Sequence, residues 1–448
     1  MNRNDELRSL LSQEAEPQAE FGTVLRRAKR RNAGRRIAGA GGWLAGFFAC
    51  FVLLVNFCTP VAYACSRVPG LRELAEAVTF SRSLTDAVAN EYVQPIELEQ
   101  TENGITARVE YLIVDQKQVN VFFTLEGGGY EEFGAEAEFR QADGGMIGSC
   151  IYGTNEYSKP AGELRGASVE LVSGDVPGSL IMSLDVYDTY ERGDTAEAPA
   201  QEAESEQDVE EREPIAQFEF LLEFDPEFTE TADIIEVDRS FVIDGQTITV
   251  RRVEVYPTHL RLELDDVPEN TAWLKALDFY IETDDGQVFE TTKNGLIATG
   301  KEGSPMMSSY RADSTYFYNS EHLKLVVTGA EWLDKDMEWI HVDLADGKAG
   351  KMPEGTEFYS AERTENGWYI RIRAERRGEN RTHQVFMGSY RDPEGNEGYC
   401  MSWSVTDGGA DCFFEEFPLE NYVWDEIWLQ PVYSRTWTAE EPVVFEIK

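Results

Sequence analysis

The sequence predicts a mainly β protein, with short N-terminal cytoplasmic helices, one transmembrane helix and three tandem β-sandwich domains of immunoglobulin-like type outside the membrane. Three observations predict it. Residues 37–66 form 30 consecutive positions without a charge. The 36 residues before them hold nine Lys/Arg and five Asp/Glu, whereas the 382 after them hold 31 Lys/Arg and 78 Asp/Glu, so the net charges are +4 and −47. From Gln94 onward, apolar residues recur at every second position between Gly, Asp and Asn turns, which is typical of strands.

The uncharged stretch predicts a retained transmembrane helix over residues 37–58. Its apolar part has about 21 residues, which at about 1.5 Å each cross roughly 30 Å of hydrocarbon. Seven Lys/Arg precede it at positions 26–36, and only Arg67 and Arg72 follow closely. This asymmetry places the N-terminus in the cytoplasm and the C-terminal body outside the cell membrane. Cleavage of a signal peptide after Ala62-Tyr63-Ala64, or lipoprotein processing at Cys65, is the alternative.

Small residues recur every four positions in this span, at Ala38, Gly42, Gly46 and Cys50, and residues 42–46 form a GxxxG pattern. Such a face lets two helices approach closely and favours a homodimer through the membrane helix. The alternative is a single helix that merely tolerates small residues. Residues 59–93 then predict a juxtamembrane helical collar, with a capping box at Ser83-Leu-Thr-Asp86.

The body divides into three predicted sandwiches, at residues 94–232, 233–350 and 351–448. Each opens with a similar hairpin, with turns at Asn103-Gly104, Asp244-Gly245 and Asn366-Gly367. These dipeptides suit two-residue hairpins because both central positions need positive φ. Residues 191–214 interrupt the first sandwich with ten acidic residues and little to bury, so we expect a disordered acidic insert. An acidic recognition segment is the alternative.

No motif indicates an enzyme, a cofactor or a metal site. The four histidines are widely separated, and no GxSxG, phosphate-binding loop or dinucleotide turn is present. We therefore predict no catalytic residues. The net charge of −47 outside the membrane excludes nucleic acid as a partner, since like charges repel. It permits cations, basic peptides or neutral ligands.

The cysteines outside the membrane raise one further question. Cys400 and Cys412 flank Thr406-Asp-Gly-Gly409, a turn that could bring two strands together. A cross-strand disulfide is one prediction, and reduced, buried thiols are the other.

The first 36 residues predict a basic amphipathic tail that binds a partner. Two short helices would each carry an apolar stripe, and 36 residues cannot build a core alone. The stripes must therefore bury against a protein or against the lipid bilayer, although the basic cluster can also serve topology alone. Docking of a helix into a protein groove is the sharper hypothesis. The candidate partner-binding residues are Leu7, Leu10, Leu11, Phe21, Val24 and Leu25.

Several segments carry a resemblance to a known family. They are RAKRR at 27–31, VNFCTPVAYA at 55–64, VPGLRELAEAVTF at 68–80, Ala87-Val-Ala-Asn-Glu-Tyr92 and Asn103-Gly-Ile105. Together they resemble Firmicute single-pass membrane proteins of domain-of-unknown-function type 4179, regarded as anti-sigma regulators, over about residues 1–230. The later units look like the immunoglobulin-like domains often appended to that family. The short tail and the acidic insert depart from its pattern.

The resemblance implies that the tail holds an extracytoplasmic-function sigma factor at the membrane. We therefore expect a membrane-anchored sensor or regulator whose ectodomain responds to an unknown extracytoplasmic ligand or stress. A cell-surface adhesion or scaffolding protein, with no cytoplasmic signalling role, is the alternative. A membrane-bound hydrolase would need an acidic site that no motif indicates.

Overall fold

The computed structural model describes residues 71–147, 150–154, 158–188, 213–229, 232–291, 297–301, 303–376, 384–400 and 402–448. The predicted tail (1–36), the predicted span (37–58) and most of the acidic insert lie outside these residues. Among the helices of the described ranges, none has the length and apolar character needed to cross a bilayer. The chain divides into two units, Met1–Glu76 and Ala77–Lys448. All the strands belong to the second unit, and the fold is mainly β, as predicted.

The described helices are short: α1 (Leu71–Ala77), α2 (Arg82–Ala89) and α3 (Pro226–Thr229). Ser81 caps α2, because its backbone is extended and its Oγ accepts a hydrogen bond from Leu84 N at 3.3 Å. The predicted capping box at Ser83–Asp86 is therefore wrong by two residues. Ser83 lies inside the first turn, where its side chain is free to bond to another part of the protein.

The first sandwich consists of two antiparallel sheets around one core. Its strands are β1 (Gln94–Glu102), β2 (Ile105–Val114), β3 (Gln118–Gly127), β4 (Glu132–Gln141), β5 (Cys150–Thr154), β6 (Ser158–Pro160), β7 (Arg165–Leu171), β8 (Ser179–Asp188) and β9 (Ala216–Glu223). The sheets have the orders β1-β2-β3-β7-β5 and β6-β4-β8-β9. Alternate residues of each sheet face inward, such as Val109 and Val121 of one and Phe139 and Leu184 of the other.

The second sandwich repeats this strand order except that its fifth and sixth strands exchange sheets. Its strands are β10 (Asp233–Ile243), β11 (Gln246–Val255), β12 (Leu260–Asp265), β13 (Ala272–Thr283), β14 (Val288–Glu290), β15 (Ala298–Gly300), β16 (Met307–Ala312), β17 (Leu323–Asp334) and β27 (Arg435–Glu446). The sheets have the orders β10-β11-β12-β16-β15 and β14-β13-β17-β27. Trp332 and Tyr310 are fully buried in its core.

The third sandwich lies between the last two strands of the second. Its strands are β18 (Ile340–Asp343), β19 (Lys348–Ala349), β20 (Thr356–Thr364), β21 (Gly367–Glu375), β22 (Phe386–Arg391), β23 (Glu397–Tyr399), β24 (Ser404–Asp407), β25 (Cys412–Glu420) and β26 (Glu426–Pro431). The sheets have the orders β19-β18-β26-β22-β23 and β20-β21-β25-β24.

The predicted bounds of the third sandwich, 351–448, are therefore wrong at both ends. Strands β18 and β19 precede residue 351 but belong to the third sandwich. Strand β27 lies within the predicted bounds but pairs with β17 of the second sandwich, from Trp332↔Arg435 to Lys324↔Glu446. An alternating apolar pattern predicts a strand but not its sheet, since it is satisfied by burial against either core.

Two of the three predicted hairpin turns have the predicted register. Asn103-Gly104 and Asp244-Gly245 are two-residue turns in which all four residues have positive φ. In the third, Thr364 pairs with Gly367, so the turn residues are Glu365-Asn366. Gly367 is instead the first residue of β21. A glycine is required there because a Cβ would lie 1.9 Å from Leu419 O of β25.

Candidate functional site: one end of the second sandwich

Helix α2 packs on one end of the second sandwich, although the first sandwich follows it directly in the chain. Ser83 Oγ donates to Asp313 Oδ1 at 3.2 Å and accepts a hydrogen bond from Ser314 N at 2.8 Å. Asp313 and Ser314 directly follow β16. We call the packing of α2 on this end, through Arg82, Ser83 and Asp86, the collar contact.

Arg82 provides the cationic part of the collar contact. Its guanidinium carbon lies 3.9 Å from the centre of the Phe289 ring, a cation–π contact. The same group donates to Val288 O, to Gln287 Oε1 at 3.0 Å and to Tyr318 Oη at 3.2 Å. One side chain thus joins the helix to β14 and to the turn before β17.

Asp86 is the buried anion of the collar contact, with 1% of its surface exposed. Its Oδ2 accepts the Tyr318 hydroxyl at 3.0 Å and lies 3.8 Å from Arg82 Nε. Within the described part of the chain, its Oδ1 has no hydrogen-bond partner. Burial raises the pKa of Asp86 from 3.8 to about 6, against the lowering effects of Arg82 and Tyr318. Burial also raises the pKa of the neighbouring Asp313.

Aromatic residues continue the contact after the helix ends. Tyr92 Oη donates to Phe228 O of α3 at 2.7 Å, and the Tyr92 ring meets the Phe228 ring edge-on at 4.8 Å. The Tyr92 ring also lies 5.9 Å from Phe317 and 6.4 Å from Tyr316 of the second sandwich. These rings fix the chain between α2 and β1 against both sandwiches.

The first and second sandwiches meet at a buried polar junction next to the collar contact. We define the junction by Asp115 and Glu170 of the first sandwich and by Thr258, His259, Arg261 and Arg311 of the second. Asp115, in the turn between β2 and β3, accepts from the backbone nitrogens of Lys117 and Gln118 at 2.8 and 2.9 Å. Its other oxygen accepts Thr258 Oγ1 at 2.5 Å and Thr258 N at 3.1 Å. Asp115 is fully buried, and burial raises its pKa.

Glu170, in β7, pairs with two arginines of the second sandwich. Arg261 Nη2 donates to Glu170 Oε1 at 2.6 Å, and Arg311 Nη1 donates to Glu170 Oε2. Arg311 also donates to Gln118 Oε1 at 2.7 Å. All three charged side chains are nearly buried, so removal of any one would leave an uncompensated charge away from water.

His259 lies between the two carboxylates, with 1% of its surface exposed. Its Nδ1 is 2.8 Å from Thr258 Oγ1 and 3.6 Å from Asp115 Oδ2, while its Nε2 has no hydrogen-bond partner in the described part of the chain. Burial, followed by repulsion from Arg311 and Arg261, lowers the pKa of His259 well below 6.5. The imidazole is therefore neutral near pH 7, and its approach to Asp115 is not an ion pair.

Both the collar contact and the junction are built to join parts of the protein. Their carboxylates and the imidazole face partner side chains, with Asp86, Asp115, Glu170 and His259 each 5% exposed or less. A reacting group would have to enter this buried packing before it reached a carboxylate. The arrangement suits mechanical coupling, with titratable groups at the points of attachment.

The residues predicted as sites lie elsewhere or outside the described ranges. The tail positions Leu7, Leu10, Leu11, Phe21, Val24 and Leu25, and the small-residue positions Ala38, Gly42, Gly46 and Cys50, are outside the described residues. They stay predictions.

The cysteine pair predicted for a disulfide is not bonded in the structure. Cys400 and Cys412 are free thiols, and each donates to a different carbonyl, Pro418 O at 3.2 Å and Gly408 O at 3.4 Å. Pro418 lies six residues beyond Cys412 in β25, a distance of roughly 20 Å along a strand. A disulfide needs Cα atoms within about 7 Å. Of the two predictions, the structure has the reduced, buried thiols, because the turn brings Cys412 opposite Gly408, not opposite Cys400.

The groups of the collar contact and the junction were not predicted as a site. The sequence carries one usable signal, a charged residue between apolar neighbours at a strand end or on a helix face, as at Glu170 and Asp86. That signal does not identify the partner. Asp86 and Tyr318 are 232 residues apart, and Asp115 and Thr258 are 143 apart.

Comparisons with known proteins bear on the family but not on the chemistry. Residues 30–127 match the model of a domain of unknown function (DUF4179), and residues 232–354 match that of a family of unknown function (DUF5643). No curated protein matches the chain.

Two solved structures are similar at low identity. A conserved domain protein from Bacillus anthracis shares 11% identity with a TM-score of 0.35, over 58% of this chain and 84% of that one. An uncharacterised protein from Listeria monocytogenes, in complex with glucose, magnesium and calcium, shares 9% identity with a TM-score of 0.12, over 71% of this chain and 29% of that one.

The two family matches account for distinct parts of the architecture. The first runs from the basic segment before the predicted span to the end of β3, so it includes the collar helix and the Asp115 turn. The second runs from the start of β10 to the beginning of the third sandwich. The resemblance to the DUF4179 family inferred from the sequence is thereby confirmed over residues 30–127, and residues 232–354 match the DUF5643 family.

Proposed function

We propose that the protein is a single-pass membrane regulator with its N-terminus in the cytoplasm. Its tail binds a transcription factor of the extracytoplasmic-function sigma type, and its ectodomain of three immunoglobulin-like sandwiches responds to an extracytoplasmic ligand or stress. The observation that carries the proposal is the collar contact. The segment that follows the predicted membrane span is fastened to the second sandwich by a buried aspartate, an arginine and a serine.

Mechanical coupling follows from this attachment. A ligand or stress that shifts the second sandwich, or opens the junction, changes how α2 is held. The 15 residues between the uncharged stretch and α2 transmit that change to the membrane helix. Release then proceeds through altered association of the helix face at Ala38, Gly42, Gly46 and Cys50, or through proteolysis within 37–66, and frees the factor held by the tail.

The tail interaction is testable with the full chain. Wild-type protein in detergent micelles should retain a sigma factor encoded beside its gene during affinity purification. Leu10→Asp together with Leu25→Asp should abolish retention, since each places a charge in an apolar stripe. Ser9→Asp together with Thr23→Asp is the matched control, because it adds the same charges off the stripes. Absence of retention by the wild type, or equal retention by both double variants, would refute the proposal.

A surface adhesion or scaffolding protein is the second candidate function. The buried charges of the junction favour it, because they hold the first two sandwiches in one arrangement, as a rigid spacer requires. In that case the tail serves only topology. Deletion of residues 2–25 separates the two functions: a scaffold keeps its surface phenotype after the deletion, whereas a regulator loses control of its target genes.

A further inference from the structure

We propose that the collar contact is a proton-controlled latch, in which protonation of Asp86 fastens helix α2 to the second sandwich and ionisation of Asp86 loosens it. The latch itself is a property of the ectodomain. Its meaning as a signal depends on the proposed regulatory function.

The charge count at the contact is the first argument. Asp86 lies on the docked helix and is almost fully buried, whereas Asp313 borders the helix and is half-buried. Arg82 is the cation that interacts with both carboxylates. Its guanidinium also donates hydrogen bonds to Val288 O, Gln287 and Tyr318, so it is shared among several acceptors. With both carboxylates ionised, the docked contact carries an excess negative charge in a region with little water, which is costly. One proton removes the excess.

The geometry around Asp86 is the second argument. Its Oδ2 is occupied by the Tyr318 hydroxyl, but its Oδ1 is buried without a partner among the described residues. A carboxylate oxygen left in this state loses its hydration on docking and gains nothing in return. A protonated carboxyl is neutral, so its burial costs less desolvation free energy. The titratable groups that face Asp86 are Arg82 on the same helix and Tyr318 and Asp313 on the second sandwich, and Glu290 acts in turn on Asp313.

The sign of the pH dependence follows from these groups. The pKa of Asp86 is raised on docking, from 3.8 to about 6, so the docked helix binds a proton more tightly than the free helix. Docking is therefore strongest in acid and weakens as pH rises through about 6. These two values give about tenfold tighter docking at pH 5 than at pH 7.5. The raised pKa of Asp313 acts in the same direction.

Hydrogen exchange of the full chain in detergent micelles tests the latch. Protection factors of amides in residues 82–92 are measured between pH 5 and 7.5, corrected for intrinsic exchange and referred to β21 of the third sandwich. In the wild type the collar protection should fall about tenfold over this range. Asp86→Asn mimics the protonated carboxyl, so its protection should be high at pH 7.5 and constant with pH. Asp336→Asn, at an exposed site, should behave as the wild type.

Each outcome decides the question. A wild-type profile that does not change with pH overturns the latch, as does an Asp86→Asn profile that keeps the wild-type slope. If Asp86→Asn fails to fold, a wild-type profile that does not change with pH still overturns the latch. Sigma-factor retention is measured separately, so failure of the latch and failure of the proposed function give different results.

Discussion

The first and second sandwiches share one strand order apart from their fifth and sixth strands, and they differ in what joins their last two strands. In the first, β8 ends at Asp188 and β9 begins at Ala216, and the acidic insert lies between them. In the second, β17 ends at Asp334 and β27 begins at Arg435, with the whole third sandwich between them. The same connection therefore accepts a stretch with little to bury or a complete domain. Loop-closure entropy grows only slowly with length, so both insertions are tolerated.

A second correspondence concerns what each sandwich holds at one end. Val119 pairs with Val169 in the first sandwich, and Leu260 pairs with Ala312 in the second, so Glu170 and Asp313 are equivalent positions. Glu170 binds two arginines of the next sandwich, whereas Asp313 binds the serine of the collar helix. One acidic position thus serves as the attachment point in both copies, with a different partner.

Removal of the closing strand should have the largest effect. Truncation after Ser434 removes β27 and with it Ile447, Trp437, Val443 and Phe445 from the second core. The burial lost is worth roughly 5 kcal/mol, comparable to the stability of a whole domain. Limited proteolysis with mass spectrometry should show the second sandwich cleaved while the third resists.

Deletion of residues 191–212 is the matched control for this truncation, since it alters the same connection of the first sandwich without removing a strand. It should leave the first sandwich as resistant to protease as in the wild type. Equal sensitivity of the two variants would mean that β27 is not required to close its sandwich.

Loss of the junction carboxylate should have the next largest effect. Glu170→Gln leaves Arg261 and Arg311 buried without a counter-charge, which should cost about 3–5 kcal/mol in urea unfolding. Asp313→Asn should cost less, because its hydrogen-bond partner Ser83 is neutral and Arg82 keeps Asp86 as a counter-charge. Glu219→Gln, which breaks an exposed pair with Arg140, serves as the control and should change little. A cost for Glu170→Gln no larger than this control would contradict the described junction.

Through His259, acid should act on the junction in the opposite sense to its effect on the collar contact. The pKa of His259 is lowered in the folded protein, so the unfolded chain binds the proton more tightly and stability falls as pH drops below about 6.5. The slope is on the order of 1 kcal/mol per pH unit. His259→Gln should remove this loss, as measured by urea unfolding at pH 5 and pH 7.5. An unchanged difference between the two pH values would show that other groups govern the acid response.

Local patterns were sufficient to predict the strands, the sandwich count and two of the hairpin turns. Alternating apolar residues identify β10 or β21, and Asn-Gly or Asp-Gly fixes a turn, because these features depend on neighbours in the chain. The third turn is shifted by one residue because Gly367 packs closely against Leu419 of β25, more than 50 residues away.

The long-range features could not be predicted in this way. The return of β27 to the second sandwich, and the pairing of Asp86 with Tyr318, depend on which apolar surface each element meets in three dimensions. Several strands and side chains along the sequence would satisfy the same local pattern. The sequence therefore predicts the parts of the body more closely than it predicts their attachments.

The position of β27 determines the order in which the second and third sandwiches can be completed during synthesis. When synthesis has passed β17, the second sandwich still lacks its last strand, and about 100 residues must follow before that strand emerges. At about 5–20 residues per second, this interval is roughly 5–20 s. All strands of the third sandwich are present by Pro431, so it can close first. Of the three sandwiches, the one that holds the collar helix is thus the last to be completed, and the collar contact can form only after β27 has been synthesised.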